Sequence, residues 1–355
     1  MAAAAAAASP SREELVYTAQ LSEKAQRYND MLQAMSSVAK LGTGLTYLER
    51  GLFSRAYHSV IDEKCTAWDI LASFQLEEGK KGNLKAEKAA IEFRLKVEAE
   101  IEEACYLVIN IIEKQLLRVS SSSADNLVFY YQMKGNCYRT LAKLKDAALG
   151  FRKRNCYGTF AELKGRAERL EASEQSLKAY KLAWEVAKVN LCPTNPIRLA
   201  LALNVSDFFY RLLRSPERAY LVAQQALDDA ESELESVSGD LKETNMQTID
   251  FMGLLRDRLA LWNSEKEKGD DEGVEIGHKD AKDTDETSKA YKQADDCVMD
   301  EEEKLEEADE QLSELSDEDE ERYQVARYMS GKNMTRTQKM LWSAVDRCMT
   351  KKAPK

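Results

Sequence analysis

The chain has 355 residues, of which 44% are hydrophobic and 32% charged, and its formal net charge is -11. The length allows two or three ordinary domains, and the composition is typical of a folded chain. Because the charge balance is acidic, direct binding to nucleic acid or to an anionic membrane through overall charge is disfavoured. The sequence contains no apolar run of membrane-spanning length, and the N-terminal alanine run lacks the basic region of a signal peptide.

Proline and cysteine usage narrows the fold class and the compartment. Proline interrupts helix interiors, and none occurs between Ser11 and Cys192, so long unbroken helices are predicted there. Strand-like alternation is scarce, which favours an all-α fold. The seven cysteines show no CxxC and no regular spacing, which indicates reduced thiols. We therefore expect a cytoplasmic protein and leave the nucleus open as a further location.

The N-terminal part begins with residues 1–10, which are expected to be a disordered leader. Two capping boxes follow, each a hydroxyl residue with a glutamate three positions later, and each predicts the start of a helix. These pairs are Ser11 with Glu14 and Thr46 with Glu49. Turns are expected at two glycine pairs and a serine run, which are Gly42 with Gly44, Gly79 with Gly82, and Ser120 to Ser123.

An apolar pattern with spacings of three or four residues crosses the first forty residues. Its members are Leu21, Ala25, Tyr28, Leu32 and Met35. Such spacing predicts that these side chains share one helical face.

An internal repeat lies near the middle of the chain. The segment NCYRTLAKLK, from Asn136 to Lys145, returns as NCYGTFAELK, from Asn155 to Lys164, with an offset of 19 residues. That offset lies about 100° away from whole helical turns, so the second copy cannot lengthen the helix and bury the same face. We expect a helical insert or loop at about residues 146–164, and a repeated functional unit is the alternative.

The segment from Cys192 to Leu213 has the strongest helix signals. Asn195 stands at a cap position and Pro196 at the first helical position. The stripe predicted to face the core is Leu201, Val205, Phe208 and Leu212. A second, mixed face is formed by Leu203, Asn204, Asp207 and Arg211. A helix with these two faces is expected to lie between a core and a bound partner.

The composition changes after Ser264, which divides the C-terminal part into three segments. Residues 265–290 are predicted to be a charged linker. Residues 291–330 are predicted to be an acidic amphipathic helix, because Val298, Leu305 and Leu312 are seven apart. Residues 331–355 form a basic tail that suits a calmodulin-like partner or an acidic surface, or that folds back on the acidic helix.

Several long segments resemble the 14-3-3 family. They are REELVYTAQLSEKAQRYNDM, RGLFSRAYHSV, VFYYQMKGNCYR, NPIRLALALN and TIDFMGLLRDRLALWNS. The resemblance covers about Ser11 to Ser264. It implies nine antiparallel helices, a cup-shaped dimer with amphipathic grooves, and a non-catalytic adaptor in signal transduction. The implied partners are client proteins with phosphoserine or phosphothreonine motifs, other acidic clients, and a second chain of the same or a similar kind.

The resemblance also implies a peptide-binding set. In the family, a Lys and an Arg seven residues apart and an Arg-Tyr pair hold the phosphate, and these positions are His58, Cys65, Arg139 and Thr140 here. Only Arg139 is a matching cation. Each charge-assisted hydrogen bond contributes about 1.5–3 kcal/mol, so losing two weakens phosphate recognition by about 3–6 kcal/mol. The remaining implied groove residues are Leu203, Asn204, Asp207, Arg211, Leu254, Arg258 and Trp262.

A dimer face is implied on the same grounds. Its apolar positions are Leu21, Ala25, Leu71, Phe74 and Phe93. Its charged positions are Arg27, Asp30, Lys96 and Glu100, whose counterparts in the family pair across the two-fold axis. Such pairs contribute little energy, but they select partners and register.

Enzyme interpretations find little support in the residues. Only two histidines occur, His58 and His278, and the spacing shows no nucleophile–base–orienter set or metal-ligand cluster. We therefore expect no catalysis, no cofactor and no metal. Two alternatives to the adaptor stay open, which are a dimeric scaffold with a silent groove that acts through its tail and a redox-active thiol protein that uses Cys65.

Overall fold

The computed structural model describes residues 10–120, 123–154, 159–236 and 246–270, and within these ranges the chain forms nine helices and no strand. The predicted all-α fold is confirmed. The acidic helix, the basic tail, residues 271–290 of the predicted linker and residues 1–9 of the leader lie outside the described residues. The first residues of the predicted linker, 265–270, continue the last described helix. The helices are α1 Arg12–Lys24, α2 Tyr28–Lys40, α3 Tyr47–Lys80, α4 Leu84–Ile111, α5 Ala124–Arg154, α6 Thr159–Asn190, α7 Pro196–Arg211, α8 Pro216–Ser236 and α9 Met246–Asp270.

Helix α4 continues without a break beyond Ile111. A π-helical segment, Ile112–Leu116, and a last turn, Leu117–Val119, extend it. None of the described helices combines the length and the apolar character that a membrane span needs.

The chain divides into two compact units, the first ending at Cys137 and the second beginning at Tyr138. In the first unit, α3 packs along α4, and α1 and α2 pack against each other and against α3. Its core is built from large side chains that are almost fully buried, which include Met31, Phe53, Tyr57 and Ile101.

Both predicted capping boxes are present. The Ser11 and Glu14 pair starts α1, and the Thr46 and Glu49 pair starts α3. Glu49 has a second role, because its carboxylate also accepts hydrogen bonds from Arg12 Nε at 2.8 Å and Nη2 at 2.5 Å. One carboxylate therefore caps α3 and ties α1 to it.

The apolar pattern from Leu21 to Met35 does not form one face, so that prediction is wrong. Helix α1 ends at Lys24 and α2 begins at Tyr28, and Gln26 between them has a left-handed φ of +56°. This break changes the direction of the chain. Leu21 is 47% exposed, whereas Leu32 and Met35 are buried.

In the second unit, α7 packs against α6, α8 and α9. Asn195 caps α7 with Pro196 in the first turn, and the predicted core stripe from Leu201 to Leu212 is at most 2% exposed. The mixed face of α7 is half-buried to exposed. The two-faced helix predicted from the sequence is confirmed.

The repeated segment falls where α5 is followed by α6. The first copy lies on α5, and the second copy begins in residues 155–158, which lie outside the described residues. Two ion pairs of 3.0 Å join α5 to α6, Lys145 with Glu168 and Asp146 with Arg169. The predicted insert at residues 146–164 stays a prediction.

Candidate functional site

Arg139 and Asn204 meet in the second unit. Arg139 on α5 donates from Nη2 to Asn204 Oδ1 at 3.2 Å and from Nη1 to the Asn204 carbonyl at 3.5 Å. Asn204 Nδ2 in turn donates to the carbonyl of Ala200 at 2.8 Å, which orients its amide oxygen toward the guanidinium. Arg139 is half-buried, and two of its five N–H donors are used in these bonds. The remaining donors are held in a fixed orientation and suit an anionic ligand.

A second group of charges lies further along α7. Asp207 Oδ1 is 3.6 Å from Arg211 Nε and 3.5 Å from Arg258 Nε of α9. That oxygen is buried and makes no hydrogen bond within the described residues. Two guanidinium groups therefore share one carboxylate, and the cluster keeps a net charge of one positive unit.

An aromatic pair lies on the same side of α7. The rings of Tyr210 and Trp262 stack with centroids 4.8 Å apart and an interplanar angle of 16°. The Tyr210 hydroxyl donates to Glu265, and this bond together with burial raises the pKa of Tyr210. Tyr210 was not among the predicted site residues, although it lies seven residues after Leu203 and the helical period could have found it.

The other predicted groove residues are distributed over both units. Leu254 is 45% exposed and Leu203 and Thr140 are half-buried in the second unit. His58 and Cys65 lie on α3 in the first unit. His58 is exposed and its Nδ1 is 2.9 Å from the Ser54 carbonyl, and Cys65 is half-buried.

Cysteines Cys105 and Cys137 are buried beside Tyr57 in the first unit. The Tyr57 hydroxyl is 3.5 Å from Cys105 Sγ. Burial raises the pKa of Cys105 to about 12 and raises the pKa of Cys137 well above its ordinary value. Both thiols are therefore protonated at neutral pH, which makes them poor nucleophiles.

The predicted dimer face lies entirely in the first unit. Three of its apolar side chains are exposed, Leu21 at 47%, Phe74 at 46% and Phe93 at 55%. Ala25 is also exposed and Leu71 is half-buried.

The charges predicted for the dimer face have partners within the chain. Arg27 pairs with Asp30, Lys64 pairs with Glu100 at 2.7 Å, and Lys96 lies over the ring of Phe93. Pairing across a two-fold axis would require Arg27 and Glu100 to exchange these partners or share them.

A family model described as 14-3-3 protein matches residues 18–263, which is more than half of the chain. The chain belongs to the 14-3-3 family, whose members are non-catalytic adaptors that bind client proteins and form dimers. The nine described helices agree with this class.

Individual relatives extend the comparison across plants and yeast. The 14-3-3-like protein GF14-G of Oryza sativa subsp. japonica is 44% identical over 71% of this chain and 90% of its own length. The 14-3-3-like protein C of Glycine max is 41% identical over 78% of this chain and 99% of its own length. The checkpoint signal transducer rad24 of Schizosaccharomyces pombe is 41% identical over 72% of this chain and 87% of its own length. These similarities support an adaptor or regulatory role in signalling.

Proposed function

We propose that this chain is a dimeric signalling adaptor that binds phosphoserine or phosphothreonine segments of client proteins with weakened phosphate recognition. The half-exposed face of α7, with Leu203, Asn204, Asp207 and Arg211, and with Arg139 and Arg258 beside it, is named here the client-binding face. The observation that carries the proposal is the bond between Arg139 and Asn204, because it fixes a guanidinium beside that face.

The physical reason is the charge and hydration of a phosphate. A phosphoserine carries about -1.5 to -2 charges, and its oxygens need several fixed donors to replace the water they lose. Arg139 supplies one planar fork whose orientation Asn204 sets. A single fork of this kind supports binding that depends on phosphate but is weaker than binding by a full set of cations.

The expected weakening follows from two positions of α3. His58 and Cys65 stand at the positions where the resemblance to the family implies a Lys and an Arg that contact phosphate, so two cations are replaced. A loss of about 3–6 kcal/mol corresponds to a hundredfold or larger increase in Kd.

The test is peptide binding by the full chain. We expect a phosphoserine peptide to bind more tightly than its serine form, and Arg139→Gln to remove that difference. Arg256→Gln is the matched control, because Arg256 lies on α9 and pairs with Glu231 at 2.6 Å. Equal binding of both peptide forms by the wild-type chain would contradict phosphate recognition, and binding of neither form would favour a scaffold with a silent groove.

A gain-of-function arm tests the weakening separately. The double variant His58→Lys, Cys65→Arg restores the family's cations and should tighten phosphopeptide binding by about a hundredfold or more, since each restored bond is charge-assisted and contributes about 1.5–3 kcal/mol. It should leave the binding of the unphosphorylated peptide unchanged. If the double variant binds the phosphopeptide no better than wild type, these positions do not explain the affinity.

The dimer is proposed from the exposed apolar side chains of the first unit. Leu21, Phe74 and Phe93 are each about half exposed, although large apolar side chains are usually buried. A second copy of this chain or of a related 14-3-3-like chain would cover them. We place the protein in the cytoplasm, with the nucleus as a further location, and assign it no nucleic-acid or membrane partner.

A further inference from the structure

Two separate cationic centres lie along the client-binding face. The first is Arg139, held at Asn204, and the second is the pair Arg211 and Arg258, which flank Asp207. Asn204 lies three residues before Asp207 and seven before Arg211 on one helix, which is about 5 Å and 10 Å along the axis, and the Arg211 side chain reaches back to Asp207. Both centres therefore belong to the same side of α7.

The second centre is open to a ligand. The side chains of Arg211 and Arg258 are 47% and 32% exposed, and neither makes a hydrogen bond within the described residues. Their Nε atoms stand 3.5–3.6 Å from Asp207 Oδ1 in ion pairs that are not hydrogen bonds. Asp207 is only 17% exposed, so a ligand reaches the two guanidinium groups more readily than the carboxylate between them.

The spacing fits a peptide in extended conformation. An extended chain advances about 3.3 Å per residue, so a separation of about 5–10 Å corresponds to two or three residues. A carboxylate two or three residues from the phosphorylated side chain could form charge-assisted bonds to an arginine fork at the second centre. A lysine or arginine at that position would instead meet a site with net positive charge.

We propose that Arg211 and Arg258 form a second anion site, which selects clients with an acidic side chain two or three residues from the phosphorylated one. This inference rests on the proposed function, because Arg139 is taken to hold the first anion. It assigns Arg211 and Arg258 a role in client selection, with Asp207 keeping the two guanidinium groups together.

The experiment measures Kd by fluorescence anisotropy for the full chain with phosphoserine peptides. Separate peptides carry Glu, Gln or Lys two or three residues before the phosphoserine and two or three residues after it, because the helix alone does not fix the peptide's direction. At one of these positions we expect the Glu peptide to bind about three- to tenfold more tightly than the Gln peptide, and the Lys peptide to bind more weakly than the Gln peptide. The preference should decrease at high salt.

Variants connect the preference to the residues. The double variant Arg211→Gln, Arg258→Gln should remove the preference for the Glu peptide. The control Arg256→Gln, on α9 like Arg258, should keep that preference.

The outcomes separate the two proposals. If phosphopeptide binding depends on Arg139 but Glu and Gln peptides bind equally, the second anion site is wrong and the proposed function stands. If no phosphopeptide binds, both are overturned. A Glu preference that survives in the double variant would place the selection elsewhere and overturn the role of Arg211 and Arg258.

Discussion

Glu49 is a single residue on which several contacts of the first unit depend. Its carboxylate accepts from the Thr46 N–H at 2.7 Å and from two nitrogens of Arg12, and its side chain is 8% exposed. The hydrogen bonds from Arg12 and from Thr46 lower the pKa of Glu49. The ionised form is therefore the one that stabilises the fold.

We predict that Glu49→Gln lowers the free energy of unfolding by about 1–3 kcal/mol at neutral pH, because the cap and the Arg12 fork lose a charged acceptor. A lowered pKa in the folded chain means that the stabilisation is present above the ordinary glutamate value of 4.5. It is lost as the pH falls through the lowered value. The difference between wild type and variant should therefore shrink in acid, as measured by urea unfolding at neutral and acidic pH.

The matched control is Glu231→Gln, which removes an exposed carboxylate that pairs with Arg256. Exposed pairs contribute about 0–1 kcal/mol, so this variant should be close to wild type at both pH values. A loss for Glu49→Gln that is equally small, or that grows in acid, would contradict the assigned role.

Residue spacing predicted some of these contacts and missed others. The capping box of Thr46 and Glu49 is local, and a spacing of three residues was enough to predict it. The i,i+4 pairing of Asp207 with Arg211 was likewise open to prediction. The contacts of Arg12 with Glu49 and of Arg258 with Asp207 join residues far apart in the chain. Their partners depend on how helices pack, which no local spacing encodes.

At the scale of one element, α7 separates packing from recognition. Leu201 is fully buried, whereas Leu203 lies two positions later on the half-exposed client-binding face. Leu201→Ala should cost about 2–5 kcal/mol of stability, because the cavity cannot collapse fully. Leu203→Ala should cost about 1 kcal/mol and should instead weaken client binding.

The comparison uses thermal unfolding together with phosphopeptide binding, with the Leu201→Ala chain assayed at a temperature where it stays folded. The two substitutions delete the same atoms, so any difference reports the face on which each residue lies. Equal stability losses, or peptide binding that Leu203→Ala leaves unchanged, would mean that the two faces are not divided in this way.

Helices α1 and α2 illustrate what the pattern could not provide. The spacing of apolar residues continues from Leu21 to Met35, and no glycine or proline marks the break at Ala25 to Arg27. Gln26 adopts a left-handed conformation that is uncommon for residues other than glycine. Tertiary packing overrides the local preference there, and only the resemblance to a family could have anticipated two helices.

At the scale of the whole molecule, the first unit leaves apolar surface uncovered. Exposed apolar side chains on α1, α3 and α4 include Leu21, Ile70, Phe74 and Phe93. Burying apolar surface contributes about 25 cal/mol per Å², so a partner chain that covers these positions gains stability. The resemblance predicted Leu21, Phe74 and Phe93 as dimer positions. Ile70 is a further candidate for the dimer face because its side chain is exposed.

We predict that Phe93→Asp converts the protein from dimer to monomer at micromolar concentration, because a carboxylate would be desolvated in an apolar interface. Light scattering measures the mass directly. Val189→Asp is the matched control, since Val189 is 82% exposed on α6 in the second unit and lies outside the predicted dimer face.

A second variant, Arg27→Glu with Glu100→Arg, should keep the dimer if these charges pair between chains, whereas Arg27→Glu alone should weaken it. A wild-type chain that scatters as a monomer at micromolar concentration would contradict the dimer, and Val189→Asp behaving like Phe93→Asp would show that the effect is not specific to this face.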